Sequence, residues 1–333
     1  MRVRALSGRR RPSVPAAPLA PAAVIAAVLL LLPGSAPDVA PAPLPTFGWS
    51  RYFGVTLPRV PADLGDLERF EQSVGRRADL VMWYAAFDSF PDFPSRDAAA
   101  LLARGSIPEI SWEPWVGTGG VEQPAYRLST IINGGHDEYI RRWARQIRDW
   151  GGPLWLRFGY EMNGNWNSWS EGVNGNRPGE YVQAWRHVHR LFEREGARNV
   201  VWVWSPNVDS PTGVSLRDVY PGDDVVDVAA LDGYNWGRTQ QWSRWRTFEQ
   251  VFATALDELD SLTSRPLVLG EVGSTEMGGD KAAWVKNFFA ALDRRGGIRG
   301  FLWFNYDKET DWRVQSSPDS LAAFRAGLSQ YGR

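Results

Sequence analysis

From residue 53 onward, short apolar runs of strand length alternate with longer stretches of helical period, and this alternation limits the fold more than any other feature. The runs are FGVT (53–56), DLVMWY (79–84), IPEISWE (107–113), LWLRFGYE (154–161), VVWVWSPN (200–207), VDVAALDGYN (226–235), PLVLGEVGS (266–274) and IRGFLWFN (298–305). A helical stretch follows every run except the fifth, which leads only into a loop with a short turn. Several of these stretches open on Asp, Ser or Pro and stop near Gly, the residues that start and end helices. Eight strands alternating with helices predict one (β/α)8 TIM barrel over residues 48–333, in the α/β class. An open doubly wound sheet would carry a Gly-rich phosphate loop after its first strand, and no GxGxxG occurs. Neither an internal repeat nor a second domain is visible.

The chain ahead of the barrel has a different composition. Residues 1–12 carry five Arg and no acid, residues 22–32 are an unbroken apolar run, and five Pro fall within residues 33–46. A basic start, a short apolar middle and a small-residue end describe a secretory signal peptide, assigned to residues 1–36, followed by a Pro-rich linker over 37–47. An 11-residue helix rises only about 16 Å, roughly half of a bilayer core. The expectation is therefore a secreted chain that keeps no membrane anchor once the leader is removed.

Formal net charge is −1 with the basic residues dispersed, so no concentrated positive surface awaits nucleic acid. The absence of Cys excludes disulfides, thiolate metal sites and a cysteine nucleophile. There are three His, no HExxH and no GxSxG, which leaves little from which to build a His-rich metal site or a serine triad. Asp223, Asp224 and Asp227 form an unspecific candidate for Ca²⁺, with capping and loop roles as their other reading. No cofactor and no metal is expected, and the chain is expected to act as a monomer. The compositional outlier is 18 Trp, a residue that serves both cores and platforms for ligand rings.

In a barrel of this kind the active site lies at the C-terminal ends of the strands. Period-2 alternation puts Trp155, Arg157, Gly159 and Glu161 on the barrel face of the fourth run, and Leu154, Leu156 and Phe158 toward the helices. An inward Arg157 calls for a carboxylate. The seventh run offers one: Leu267, Leu269 and Glu271 are expected on one face, with Glu271 at its end. Strands four and seven face each other across a small barrel. Carboxyls reaching inward from both could stand about 5 Å apart, the separation of a retaining glycosidase. Glu109 and Glu113, which share a parity on the third run, are the rival pair.

With these residues placed, the chain resembles glycoside hydrolase family 26. The resemblance rests on RFGYEMNGNWNSW (157–169), WSPN (204–207), YPGDDVVDVAALDGYN (220–235) and LGEVGS (269–274), and spans nearly the whole chain after the linker. It implies a (β/α)8 fold, with Glu161 as acid/base and Glu271 as nucleophile. It further implies Arg157 as the family's arginine, Trp166 as a tryptophan flanking the cleavage point, Tyr234 as a hydrogen-bond donor to the nucleophile, and Trp303 as a sugar-stacking platform. Tyr160, Asn163, Trp236 and Trp112 complete the expected substrate-binding set, Asn163 also shaping the turn with Gly164. Family members commonly carry His before the acid/base, where this chain has Tyr160. The implied activity is retaining endo-hydrolysis of a β-linked polysaccharide, β-1,4-mannan first. The EMNG wording resembles the mixed-linkage β-glucanase branch, and β-1,3-xylan is a further option. A non-catalytic polysaccharide-binding barrel is the reading from another class, and the retention of both carboxylates speaks against it.

Overall fold

The computed structural model describes residues 51–332. The signal peptide (1–36), the linker (37–47) and the first residues of the expected catalytic domain lie outside the described residues. Eight parallel strands close in sequence order: β1 (Tyr52–Thr56), β2 (Leu80–Ala86), β3 (Ile107–Glu113), β4 (Leu154–Phe158), β5 (Val200–Trp204), β6 (Val228–Asn235), β7 (Leu267–Ser274) and β8 (Ile298–Phe304), with β8 paired to β1. This is the expected (β/α)8 barrel.

The outer layer is α1 (Leu64–Val74), α2 (Ser95–Ala103), α3 (Leu128–Ile132), α4 (Asp137–Trp150), α5 (Glu180–Glu195), α6 (Phe248–Leu262), α7 (Lys281–Arg295) and α8 (Pro318–Gln330). Helix starts follow the capping chemistry. The side chains of Asp63, Asp280 and Ser317 accept first-turn N–H groups of α1, α7 and α8, and Thr247 and Gln250 form a reciprocal capping box on α6. Between β5 and β6 there is only a short 3₁₀ turn, Arg217–Val219, as the sequence indicates. The short α3, in the β3–β4 connection, carries too little periodicity to be read in advance.

Side-chain parity divides the strands into two cores. Leu80, Met82, Trp155, Val201, Val203, Val228, Ala230, Val268 and Leu302 fill the barrel, and the alternate residues pack outward under the helices. This division corrects two expected sugar platforms. Trp303 follows the inward Leu302 and so points out: it is fully buried, with ring centroids 5.2 Å from Phe324 and 6.0 Å from Phe288. Its indole N–H donates to the Trp312 carbonyl at 3.0 Å. Trp112 likewise sits between the inward-parity Ser111 and Glu113, fully buried and stacked at 4.8 Å on Trp143 of α4. Both are helix-layer core and neither is open to a sugar. Trp303→Ala should lower unfolding free energy by about 3–5 kcal/mol in denaturant titration, with KM of the folded fraction unchanged. A raised KM would restore the platform assignment.

Candidate active site

β4 ends at Phe158, three residues before Glu161, so the pleat does not carry Glu161 inward. The chain instead turns through Gly159 (φ 53°) and Glu161 itself (φ 51°). A non-Gly residue in the left-handed region is uncommon and needs support. The Glu161 N–H donates to the Ser205 carbonyl at 2.7 Å, Gly164 N–H donates to the Glu161 carbonyl at 3.0 Å, and the Trp169 indole donates to the Tyr160 carbonyl at 2.6 Å. Asn163 completes the brace. Its side chain exchanges two hydrogen bonds with the Asn207 backbone, at 2.8 and 2.9 Å, and is 1% exposed. Asn163 was expected among the substrate-binding residues; its buried amide is instead spent on Asn207, and what it positions is the Asn207 side chain. That amide donates to Glu161 Oε1 at 2.6 Å, while the Trp166 indole donates to Oε2 at 2.6 Å.

Glu271 reaches the barrel by a different device. Leu267 and Leu269 belong to the outer layer and Val268 to the interior, so unbroken alternation would send Glu271 toward the helices. The shared face expected for Leu267, Leu269 and Glu271 is therefore corrected. The β6–β7 register passes from Leu231↔Leu269 directly to Asp232↔Glu271, and Gly270 is the extra residue of a β-bulge. The bulge inverts the parity and re-aims Glu271 inward. Position 270 has no room for a side chain, because a Cβ there would lie 2.5 Å from Ser205 Oγ and 2.6 Å from Asp232 Oδ1.

Three donors converge on Glu271. Tyr84 hydroxyl (2.8 Å) and Arg157 Nη2 (2.5 Å) donate to Oε1, and the Tyr234 hydroxyl donates to Oε2. Arg157 is fully buried. It is neutralised by Glu271 and by Asp232, whose Oδ2 lies 3.0 Å from Nη2, and its guanidinium stands 4.3 Å from the centre of the Tyr160 ring. Asp232, Tyr84 and Asn207 were not singled out from sequence. For Asp232 a signal existed, since the parity on strand six that turns Tyr234 inward turns Asp232 inward as well.

The two carboxyls sit in unlike surroundings. Burial, and then the charge of Glu271, push the Glu161 carboxyl up to about 7, against the opposing pull of its Asn207 hydrogen bond. Glu271 instead has a guanidinium and two phenols directed at it. The expected rivals sit in different surroundings. Glu113 accepts from the Tyr160 hydroxyl at 2.7 Å and from the Trp115 indole at 3.2 Å. Glu109 is wholly enclosed in the barrel, level with Trp155 and below Arg157, with no hydrogen-bond partner for either oxygen among the described residues.

Burial raises the Glu109 carboxyl from about 4.5 to about 7. A raised acid is bound by its proton more tightly when folded. Stability from this group therefore falls as pH climbs from the unfolded value near 4.5 through 7, and stays low above it. At 1.36 kcal/mol per unit the decline is roughly 3 kcal/mol. Glu109→Gln should remove it, making the variant more stable than the parent at pH 8 and not at pH 4, as read from urea midpoints.

At the rim, Trp166 is 39% exposed beside Glu161. Trp236 is half-buried, 6.1 Å from Tyr234 and 4.8 Å from Trp312, and carries the exposed Trp242 at 5.4 Å. The three acids considered for Ca²⁺ do not converge. Asp223 accepts from Thr263, Asp224 pairs with Arg186, and Asp227 accepts the Trp202 N–H at 2.8 Å.

Fold and site thus define a class: a (β/α)8 barrel with a buried acidic pair just beyond β4 and on β7. The family model described as glycosyl hydrolase family 26 matches residues 122–274, a span that contains Glu161 and Glu271. Endoglucanase H of Acetivibrio thermocellus is 37% identical over 267 residues, covering 79% of this chain and 29% of that protein. The mannan endo-1,4-beta-mannosidase A and B of Caldalkalibacillus mannanilyticus is 36% identical over 104 residues, 29% of this chain and 20% of that protein. The solved structure of a GH26 beta-mannanase from Bacteroides ovatus shares the fold, with a TM-score of 0.65 at 18% identity over 86% of this chain and 90% of that one. The chain belongs to glycosyl hydrolase family 26. It spans less than a third of the length of either of these two relatives.

Proposed function

We propose that the protein is a retaining endo-β-glycanase that cleaves a β-linked polysaccharide by double displacement, with β-1,4-mannan as the first substrate. The observation that carries this reading is the asymmetry of the acidic pair. Glu271 has Arg157, Tyr84 and Tyr234 directed at its two oxygens, which fix the carboxyl in place. Glu161 is buried and holds its proton up to about pH 7. In the first displacement Glu271 attacks the anomeric carbon and Glu161 gives its proton to the departing glycosidic oxygen, leaving a glycosyl ester. In the second, ionised Glu161 takes a proton from water, the water oxygen attacks the same carbon, and the ester bond to Glu271 breaks. Trp166, Tyr160 and Trp236 lie where they can face sugar rings at the rim. The same reading has the chain exported on residues 1–36 and acting as a monomer, off the membrane once that leader is removed.

A second substrate, β-glucan, is favoured by two observations. Tyr160 stands where the family commonly has His, its hydroxyl on Glu113 and its ring under Arg157. And the relative named an endoglucanase is similar over most of this chain. Product analysis on β-mannan, mixed-linkage β-glucan, β-1,3-xylan and cellulose tests the reading. An oligosaccharide ladder from mannan supports the first substrate and one from either glucan the second. Release from none of the four, with the protein folded, overturns the proposed activity.

A further inference from the structure

Lys281 is the first residue of α7 and is wholly buried. Both facts weigh against a lysine at this position. A buried ammonium is unfavourable unless its donors are used, and a cation at a helix N-terminus opposes the helix dipole. Burial lowers the Lys281 ammonium from 10.5 to about 8, against the pull of Glu276 and Asp311. What the ammonium holds accounts for its presence. Nζ donates to the Arg313 carbonyl at 2.7 Å, to Ser316 Oγ at 2.8 Å and to the Asp311 carbonyl at 3.4 Å. All three acceptors lie in the connection from β8 to α8, whereas Lys281 closes the connection from β7 to α7. Glu276, on the Lys281 side, grips the same stretch: its Oε1 accepts the hydroxyls of Ser316, Ser317 and Ser320 at 2.7, 2.9 and 2.7 Å.

The two carbonyls taken by Lys281 bracket Trp312. That side chain is buried, its ring centre 5.0 Å from that of Tyr234 and, edge-on, 4.8 Å from that of Trp236. Phe304 meets Tyr234 edge-on at 5.6 Å. Gly273 of β7 closes the remaining side, since a Cβ there would lie 3.1 Å from the Tyr234 ring and 3.2 Å from the Trp312 ring. Tyr234 is thus held between β7 and Trp312, and its hydroxyl is the donor to Glu271 Oε2. Contacts run unbroken from Lys281 through Trp312 and Tyr234 to Glu271.

We propose that Lys281 is a positioning residue for Glu271: by fixing the backbone on both sides of Trp312, it keeps the Tyr234 hydroxyl on the nucleophile. The proposal rests on the retaining-hydrolase reading, and a double-mutant cycle separates the two. Rates on mannan and on mixed-linkage glucan are measured for the parent, Lys281→Met, Tyr234→Phe and the double variant. The Lys281→Met comparison is repeated in a Trp236→Ala background. Methionine keeps the length and burial of the side chain without the ammonium. Lys281→Met should lose about tenfold in kcat/KM, the order of one hydrogen bond to a charged group. In the Tyr234→Phe background its further loss should stay within about twofold. A clamp that only supports the fold would lose the same factor in every background. Equal losses with and without the Tyr234 hydroxyl therefore overturn the proposal and leave the activity standing. So does a loss that vanishes in Trp236→Ala but persists in Tyr234→Phe, which would place the effect at the rim. If Lys281→Met does not fold, Ser316→Ala decides the matter, since it removes one acceptor and leaves the ammonium two. It should lose about threefold in the parent background and nothing further in Tyr234→Phe. A parent that cuts no polymer of the panel removes the activity, and this proposal with it.

Discussion

Glu271→Ala is expected to abolish polysaccharide cleavage, with a loss on the order of 10⁵-fold in kcat, since it removes the group that forms the covalent intermediate. The substitution also leaves a space beside the anomeric carbon, between the hydroxyls of Tyr84 and Tyr234. Azide can enter there and attack from the face that the carboxylate used. With Glu161 still present to protonate the leaving oxygen, glycosyl azide of inverted, α configuration should accumulate, and NMR of the product identifies it. A folded variant that azide does not rescue would argue against Glu271 as nucleophile. Folding must be checked, because Arg157 would retain only Asp232 as a carboxylate partner. Stripping one member from a buried ion cluster typically costs about 3–5 kcal/mol.

The second large effect falls on Glu161. Glu161→Ala should lower kcat on unactivated polysaccharide by about 10³-fold, within the range of general acid–base catalysis. It should lose less on a substrate whose leaving group departs without a proton. The pH dependence gives an independent reading. The first displacement needs Glu161 protonated, and its carboxyl titrates near 7. The parent's kcat/KM should therefore fall tenfold per unit above about pH 7, and the variant should lose that alkaline limb. Because the two carboxyls interact, the limb belongs to the pair and not to one side chain. An unchanged alkaline limb in Glu161→Ala would assign it elsewhere, with Glu113 as the nearest rival acid at the rim.

How much of this was legible in the sequence varied with the physics involved. The barrel was, because eight apolar runs and seven helical periods repeat over the chain and the rules of parallel sheets admit few other closures. Glu161 and Glu271 were legible as strand-end acids, yet the route by which each reaches the site was not. For Glu161 the pleat stops at Phe158 and a left-handed turn does the work. For Glu271 the single extra residue Gly270 reverses the face. A bulge leaves no mark on hydrophobic periodicity except a glycine, and this chain has 33 of them. The alternation that fails at Glu271 holds on β8 and β3, where it turns Trp303 and Trp112 toward the helices. Tyr84 shares the inward parity of Leu80 and Met82 on β2 and was legible in the same way as Asp232, whereas Asn207, beyond the end of β5, could not be reached by parity, since its role depends on which loop ends meet above the barrel.

The central claim is a double displacement through Glu271, and the anomeric configuration of the first product tests it most directly. Proton NMR of the parent acting on mannan or mixed-linkage glucan should show the β-anomeric signal of the new reducing end first, with the α signal growing later as mutarotation proceeds. The α signal appearing first would mean a single displacement by water, and Glu271 would then be a base and not a nucleophile.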